Sequence, residues 1–193
     1  MLIGITGQIA SGKSEVAGIF KKYGAFIISA DRIGKDVVNK NPALLRRLVR
    51  AFGHDILTPA GHLRRKRLAQ KAFADKSSTK ILNRIVHPTL LRELEKQTEA
   101  ALQRYHLVVI DAALLLDWRW DKRVDLTIVV HATDKNKLRH VETKGYSHIE
   151  AKSRLNSQMT FAQYRERADI VILNNSSLEI LEKKVRKIID KLT

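Results

Sequence analysis

The sequence predicts an α/β protein: a doubly wound, five-stranded parallel sheet carrying a helical insertion and a lid. Three observations lead there. Short apolar runs recur along the chain, as in Leu2-Ile3-Gly4-Ile5-Thr6 and Leu126-Thr127-Ile128-Val129-Val130. They are too continuous for the in–out alternation of a half-exposed strand, and they suit a parallel sheet covered on both faces. Helical patterns separate these runs, which is the alternation of a doubly wound sheet. The middle third shows helical periodicity and no strand signal, so it reads as an insertion rather than as part of the sheet.

The elements follow in order. Residues 2–6 form the first strand, and after a glycine-rich turn residues 15–20 form a helix. Gly24 closes that helix, and Ala25-Phe26-Ile27-Ile28 is the second strand. Asp31 stands at its C-terminal edge, with a helix over 32–38. Residues 42–51 are helical and 53–61 form a turn-rich connection. Amphipathic helices cover 63–74 and 77–86, the second with Ile81, Leu82, Ile85 and Val86 on one face. Pro88 suits the first position of another helix reaching residue 105, with Leu90, Leu94 and Leu102 at helical spacing. The third strand is Leu107-Val108-Val109-Ile110 and the fourth is 126–130. Helices at 134–143 and 148–157 are separated at Gly145. Ile170-Val171-Ile172-Leu173 is the last strand. Ser176-Ser177-Leu178-Glu179 offers a capping box to a final helix with Leu178, Leu181, Val185, Ile188 and Leu192 on one face. One domain is expected, with its core at 1–40 and 106–193, a helical insertion at 41–105 and a lid at 134–158.

Composition sets limits. With 193 residues, 44% hydrophobic and 29% charged, the chain suits a globular domain with a sizeable core. It has no cysteine, so disulfides, thiolate metal sites and thiol catalysis are excluded. The first apolar segment lacks a basic lead and is too short for a signal peptide, and the run at 107–116 is broken by Asp111. No membrane partner and a cytoplasmic location are expected. Lys and Arg number 36 against 20 Asp and Glu, a formal net charge of +16. Such a balance suits nucleic acid, a polyanionic small substrate or simply a basic surface. Charge is spread along the chain, apart from Arg64-Arg65-Lys66-Arg67, and the 6% aromatic content is not interleaved with it. No specific nucleic acid partner is expected.

The chemistry begins at Gly7-Gln8-Ile9-Ala10-Ser11-Gly12-Lys13-Ser14, a complete G-x-x-x-x-G-K-[ST] loop set between a strand and a helix. Glycines let the backbone wrap so that successive N–H groups face phosphate oxygens. The helix behind it, starting near Glu15, adds its unpaired N–H groups and positive dipole end. Lys13 reaches the β- and γ-phosphates and the Ser14 hydroxyl ligates magnesium. The chain is expected to bind ATP with Mg2+, on a sheet of the P-loop NTP hydrolase type.

Ligands of such sheets lie beyond the strand C-termini. Asp31 falls there, either as a base accepting a substrate hydroxyl proton or as a helix N-cap. Asp111 ends the third strand, either holding magnesium or serving as a cap or turn residue. The basic helix Lys135-Asn136-Lys137-Leu138-Arg139 reads either as a lid, with Arg139 offsetting charge on the transferred group, or as a solvated face.

Taken whole, the chain resembles the dephospho-CoA kinase family. The resemblance is carried by Thr6 to Ser14, Ser29-Ala30-Asp31, Phe52-Gly53-His54-Asp55-Ile56-Leu57 and Gly61-His62-Leu63-Arg64-Arg65. It continues with Leu82-Asn83-Arg84-Ile85-Val86-His87-Pro88, Asp111-Ala112-Ala113-Leu114-Leu115, Arg139, Arg154-Leu155-Asn156-Ser157-Gln158 and Ala168-Asp169-Ile170-Val171-Ile172-Leu173-Asn174-Asn175. It implies phosphorylation of the ribose 3′-hydroxyl of dephospho-CoA by ATP, the last step of coenzyme A synthesis. It implies that Asp31 is the base, Arg139 a lid arginine with Lys144 as its companion, and Asn174 and Asn175 neighbours of adenine. Arg65, His87 and Leu114 are implied on the dephospho-CoA side. Read alone, His87 is a buried polar anchor at the Pro88 helix break and Arg65 is surface charge. A monomer or small homo-oligomer is expected.

Three departures from the family pattern stand out. Ser29 replaces the first of two acids, leaving Asp31 as the local carboxylate. Ala113 replaces a proline, and Asp117 a longer glutamate. Lys144 stands where a second lid arginine is usual, keeping charge without the bidentate fork. Two other functions compete: a P-loop kinase for another nucleoside or sugar acid, and a nucleic-acid-associated nucleotide switch suggested by the +16 charge. The Leu82 to Pro88 segment speaks against the first, and the lack of a nucleic acid motif against the second.

Overall fold

Five strands, β1 (Leu2–Thr6), β2 (Phe26–Ser29), β3 (Val108–Asp111), β4 (Leu126–His131) and β5 (Ile170–Leu173), pair in parallel in the order β2-β3-β1-β4-β5. The computed structural model describes residues 1–142, 155 and 158–192. Every residue of β1 is buried, as a central strand covered on both faces requires. On one face, Ile3, Ile5, Val109, Ile128, Val130 and Ile172 form a core with helices α1 (Lys13–Lys22) and α8 (Leu178–Ile189). Phe20 of α1 is fully buried there, worth about 1.5–3 kcal/mol by transfer from water.

The opposite face is covered by the segment after β3 and by α7 (Phe161–Glu166). Gly4 makes this possible, because a Cβ there would lie 2.7 Å from Leu115 Cδ2. Leu115, Leu116, Trp120 and Tyr164 are buried, while Trp118 is half-buried. The Tyr164 hydroxyl donates to Ala113 O at 3.4 Å. Arg123 lies over the Trp120 ring, 4.7 Å from its centroid. The two faces make the sheet doubly wound, as expected. The next strand after β1 is placed on one side of it and the next after β3 on the other, which opens a crevice between β1 and β3 at their C-terminal ends.

By contact, the chain divides into a sheet unit, Met1–Ser29 with Thr98–Thr193, and a helical unit, Ala30–Gln97. The helical unit contains α2 (Ala30–Lys40), α3 (Pro42–Phe52), α4 (Arg65–Ala72) and most of α5 (Lys76–Leu102). Asn41 caps α3 by accepting from Leu44 N at 3.0 Å, with Pro42 at the first helical position. The 3-10 turn His54–Ile56 places Asp55 against Lys71 Nζ at 2.5 Å and Arg67 at 2.8 Å. Those two cations, Lys71 first, hold the Asp55 carboxyl down to about 2.

Three expectations are corrected. The chain does not break before Pro88; α5 runs through it as one 27-residue helix. An interior proline costs about 3 kcal/mol. Ile85, Leu90 and Leu94, buried on either side of it, each return roughly 1.5–3 kcal/mol, so packing prevails. The last helix is capped by Ser177, which accepts from Ile180 N, so Glu179 falls one place short of a capping box with it. The reciprocal box belongs instead to Thr160 and Gln163, which open the short α7, a helix not expected from the sequence. Of the expected helix at 148–157 only Leu155, which is helical, is among the described residues. No helix among the described residues is long and apolar enough to cross a membrane.

Candidate active site

The loop between β1 and α1 depends on two glycines. Gly7 has φ 142°, and a Cβ there would lie 2.2 Å from Val130 O at the end of β4. Gly12 is the N-cap of α1 with φ 94°, and a Cβ there would lie 2.0 Å from Asn174 Nδ2. A side chain at Gly7 would strike backbone, and one at Gly12 would be strained by the positive φ and would displace the Asn174 amide. Ala10 between them is also left-handed, at φ 60°. No side chain caps α1, so its first-turn N–H groups face the loop as an anion site. The Ser11 hydroxyl is buried with no hydrogen-bond partner among the described residues. Lys13 Nζ donates to Gln8 O at 3.0 Å, and Glu15 is exposed in the first helical turn. Ile9 belongs to the same loop and donates its N–H to Gln158 Oε1 at 2.8 Å.

Asp111 closes β3 in register with Ile5 of β1 and Ser29 of β2, at the mouth of the crevice. Ser14, one residue into α1, donates its hydroxyl to Asp111 Oδ2 at 3.1 Å. Asn174, just beyond β5, donates Nδ2 to Ser11 O at 3.1 Å and so meets the loop directly. Asn175 accepts from Thr133 N at 2.8 Å, tying the ends of β4 and β5 together. Leu114 is half-buried in the segment after β3. Nearby, burial raises the Asp117 carboxyl, and burial with the Asp117 charge pushes the Tyr164 hydroxyl up to about 12.

The helical unit holds Asp31, Arg65 and His87. Asp31 is exposed in the first turn of α2, one residue past its start, rather than at the cap position. Arg65 begins α4 and donates to Lys35 O at 3.0 Å and Asn39 Oδ1 at 2.8 Å, pinning α4 to the end of α2. His87 is half-buried on α5, and burial lowers its imidazole below the ordinary histidine range. Arg139 lies within α6 (Asp134–Glu142), but its side chain is outside the described residues, as is Lys144 entirely.

The family model for dephospho-CoA kinase matches residues 1–179. The chain belongs to the dephospho-CoA kinase family. It is 37% identical over 192 residues to a dephospho-CoA kinase of Corynebacterium glutamicum, covering 98% of this chain and 96% of that one. A dephospho-CoA kinase of Enterococcus faecalis is 36% identical over 187 residues, covering 96% and 94%. Among solved structures, a Thermus thermophilus protein superposes with a TM-score of 0.82 at 30% identity, covering 100% of this chain and 98% of that one.

Against the dephospho-CoA kinase pattern read from the sequence, the sheet unit brings the loop, Asp111 and Asn174 together. What the pattern did not yield is the ring of contacts around Gln8. Its Nε2 donates to Met159 O at 2.9 Å and its Oε1 accepts from Lys137 Nζ. Gln158 grips Ile9 in the same neighbourhood. The basic face of α6 is therefore not wholly solvated, since Lys137 is buried. An apolar-periodicity reading sends every lysine to the surface, and no sequence signal marks this one.

Proposed function

We propose that this chain transfers the γ-phosphoryl group of ATP to the ribose 3′-hydroxyl of dephospho-CoA, giving coenzyme A and ADP in the cytoplasm. The observation that carries the reading is the family match across residues 1–179, laid over an intact phosphate loop at an uncapped helix start. The buried Ser11 hydroxyl, without a partner among the described residues, and the two side-chain-free glycines suit a loop shaped around an anion.

Loop N–H groups and the α1 N-terminus hold the triphosphate, and Lys13 exchanges the Gln8 carbonyl for a phosphate oxygen. Ser14 and Asp111 present a hydroxyl and a carboxylate at 3.1 Å, oxygen donors that suit a hard cation. Magnesium held there neutralises charge on the phosphoryl group when bound. Asn174 and Asn175 are assigned to the adenine end, and Arg65, His87 and Leu114 to dephospho-CoA, with the helical insertion serving as its binding part. Asp31 accepts the 3′-hydroxyl proton as that oxygen bonds to the γ-phosphorus and the bond to ADP breaks. Arg139 and Lys144, on the lid, offset the charge that develops.

A coupled ADP-release assay tests this directly, with dephospho-CoA, adenosine, AMP or no acceptor. Turnover is expected with dephospho-CoA alone. Equal ADP release in all four arms, or preference for adenosine or AMP, overturns the reading.

A further inference from the structure

The strongest unassigned feature is a lysine where a lysine is least expected. Lys137 sits in the first turn and a half of α6, and its side chain is 2% exposed. Burying an ammonium strips it of water and is tolerated only with good partners. Among the described residues these are Asp134 Oδ1, at 2.6 Å, and Gln8 Oε1. The Asp134 side chain is exposed, so water screens its share of the pairing. The contact that reaches inward is the one to Gln8. That residue makes three contacts: its carbonyl holds Lys13, its amide oxygen holds Lys137, and its amide nitrogen holds Met159 O. With all three made, the loop residue at the second motif position is fixed from both ends of its side chain.

We propose that Lys137 is a positioning residue for ATP, acting through Gln8 to hold the phosphate loop in its binding shape. The inference rests on the ATP-dependent reading above. Lys137 orients the Gln8 amide, because an ammonium can only donate and so demands the oxygen. The amide nitrogen is thereby turned to the Met159 carbonyl, and the loop backbone at Gln8 is held in place before nucleotide arrives. A preorganised loop does not have to be ordered on binding, so affinity rises without a new contact to the ligand. The neighbouring His131 carries the mark of the same charge: burial first, and Lys137 second, lower its imidazole.

The test is a double-mutant cycle on Lys137→Met and Gln8→Ala, with ATP Kd measured by equilibrium binding and KM measured for both substrates. Methionine matches the length of lysine and suits a buried site, so the fold should persist or gain stability. Each single change is expected to raise ATP Kd about tenfold, and the double change no further than either alone. KM for dephospho-CoA should stay within about twofold, which a general structural role would not allow. An unchanged ATP Kd in Lys137→Met overturns the proposal. So does a double variant that loses the product of the two effects, since Lys137 would then act independently of Gln8. Should Lys137→Met fail to fold, Gln8→Leu removes the same contact from the half-buried side and must raise ATP Kd likewise. Because ATP binding is read without acceptor, these outcomes are separate from wild-type failure to phosphorylate dephospho-CoA, which would instead defeat the reaction assignment.

Discussion

Ser14 donates its hydroxyl to the Asp111 carboxylate at 3.1 Å, so the first turn of α1 is fastened to the end of β3 at the crevice between β1 and β3. In the proposed mechanism these two side chains would hold magnesium when it is bound. Asp111→Asn keeps the size but removes the charge facing the cation. The magnesium concentration for half-maximal turnover should rise about 10–100-fold. A magnesium titration of wild type and variant at saturating ATP checks this, and superimposable curves would make Asp111 a turn residue only.

Asp31→Asn keeps the shape of the side chain but cannot accept a proton. Turnover should fall by roughly 10²–10⁴, the usual worth of a general base. ATP affinity should change little, because the loop holds the nucleotide. Single-turnover phosphorylation measured beside ATP binding separates the two effects. A loss below tenfold would assign Asp31 to orientation rather than proton transfer.

Gly7→Ala and Gly24→Ala share a positive φ but differ in surroundings. A Cβ at Gly7 meets Val130 O at 2.2 Å, whereas at Gly24 no atom of the described residues beyond its chain neighbours lies within 4 Å. Gly24→Ala should cost only the left-handed penalty, about 1–2 kcal/mol. Gly7→Ala adds a clash with backbone, which cannot rotate away, and should lower Tm further and abolish ATP binding. Calorimetry on the pair decides it; equal Tm values would show that the loop has room to move.

The acid limb of stability should depend on Asp55. Its folded carboxyl is held at about 2, below the ordinary 3.8, first by Lys71 and then by Arg67. A depressed folded value means the contribution is complete above about pH 4 and is lost as pH falls toward 2. Asp55→Asn should flatten that decline, and added salt should shrink the difference, since the group is exposed. Ellipticity followed from pH 5 to pH 1.5 tests it. Identical acid midpoints at low salt would show that the cluster contributes nothing.

The sheet and the loop were legible because their signals are local. A parallel strand buried on both faces must be continuously apolar, and a phosphate loop must have glycine at Gly7 and Gly12 whatever surrounds it. Errors arose where tertiary packing outweighed local preference. Pro88 signals a helix start, yet buried Ile85, Leu90 and Leu94 carry α5 straight through it. The six-residue α7 is too short for periodicity to reveal, although Thr160-Phe161-Ala162-Gln163 carries its capping signature. Asp111 was legible as a candidate from its place at a strand end, where it meets Ser14. Lys137 was not, because its burial depends on a partner, Gln8, that lies 129 residues away in sequence.

Both tryptophans of the chain, Trp118 and Trp120, lie in the sheet unit, and Trp120 is buried beneath Arg123. Indole emission is therefore an intrinsic optical label for that half of the protein alone. Far-UV ellipticity, in contrast, weighs heavily on α2 to α5 of the other half. A single unlabelled sample titrated with urea thus yields two unfolding curves, one from the sheet unit alone and one weighted toward the helical unit. Their separation or coincidence reports whether nucleotide-binding and helical parts melt stepwise or as one cooperative body.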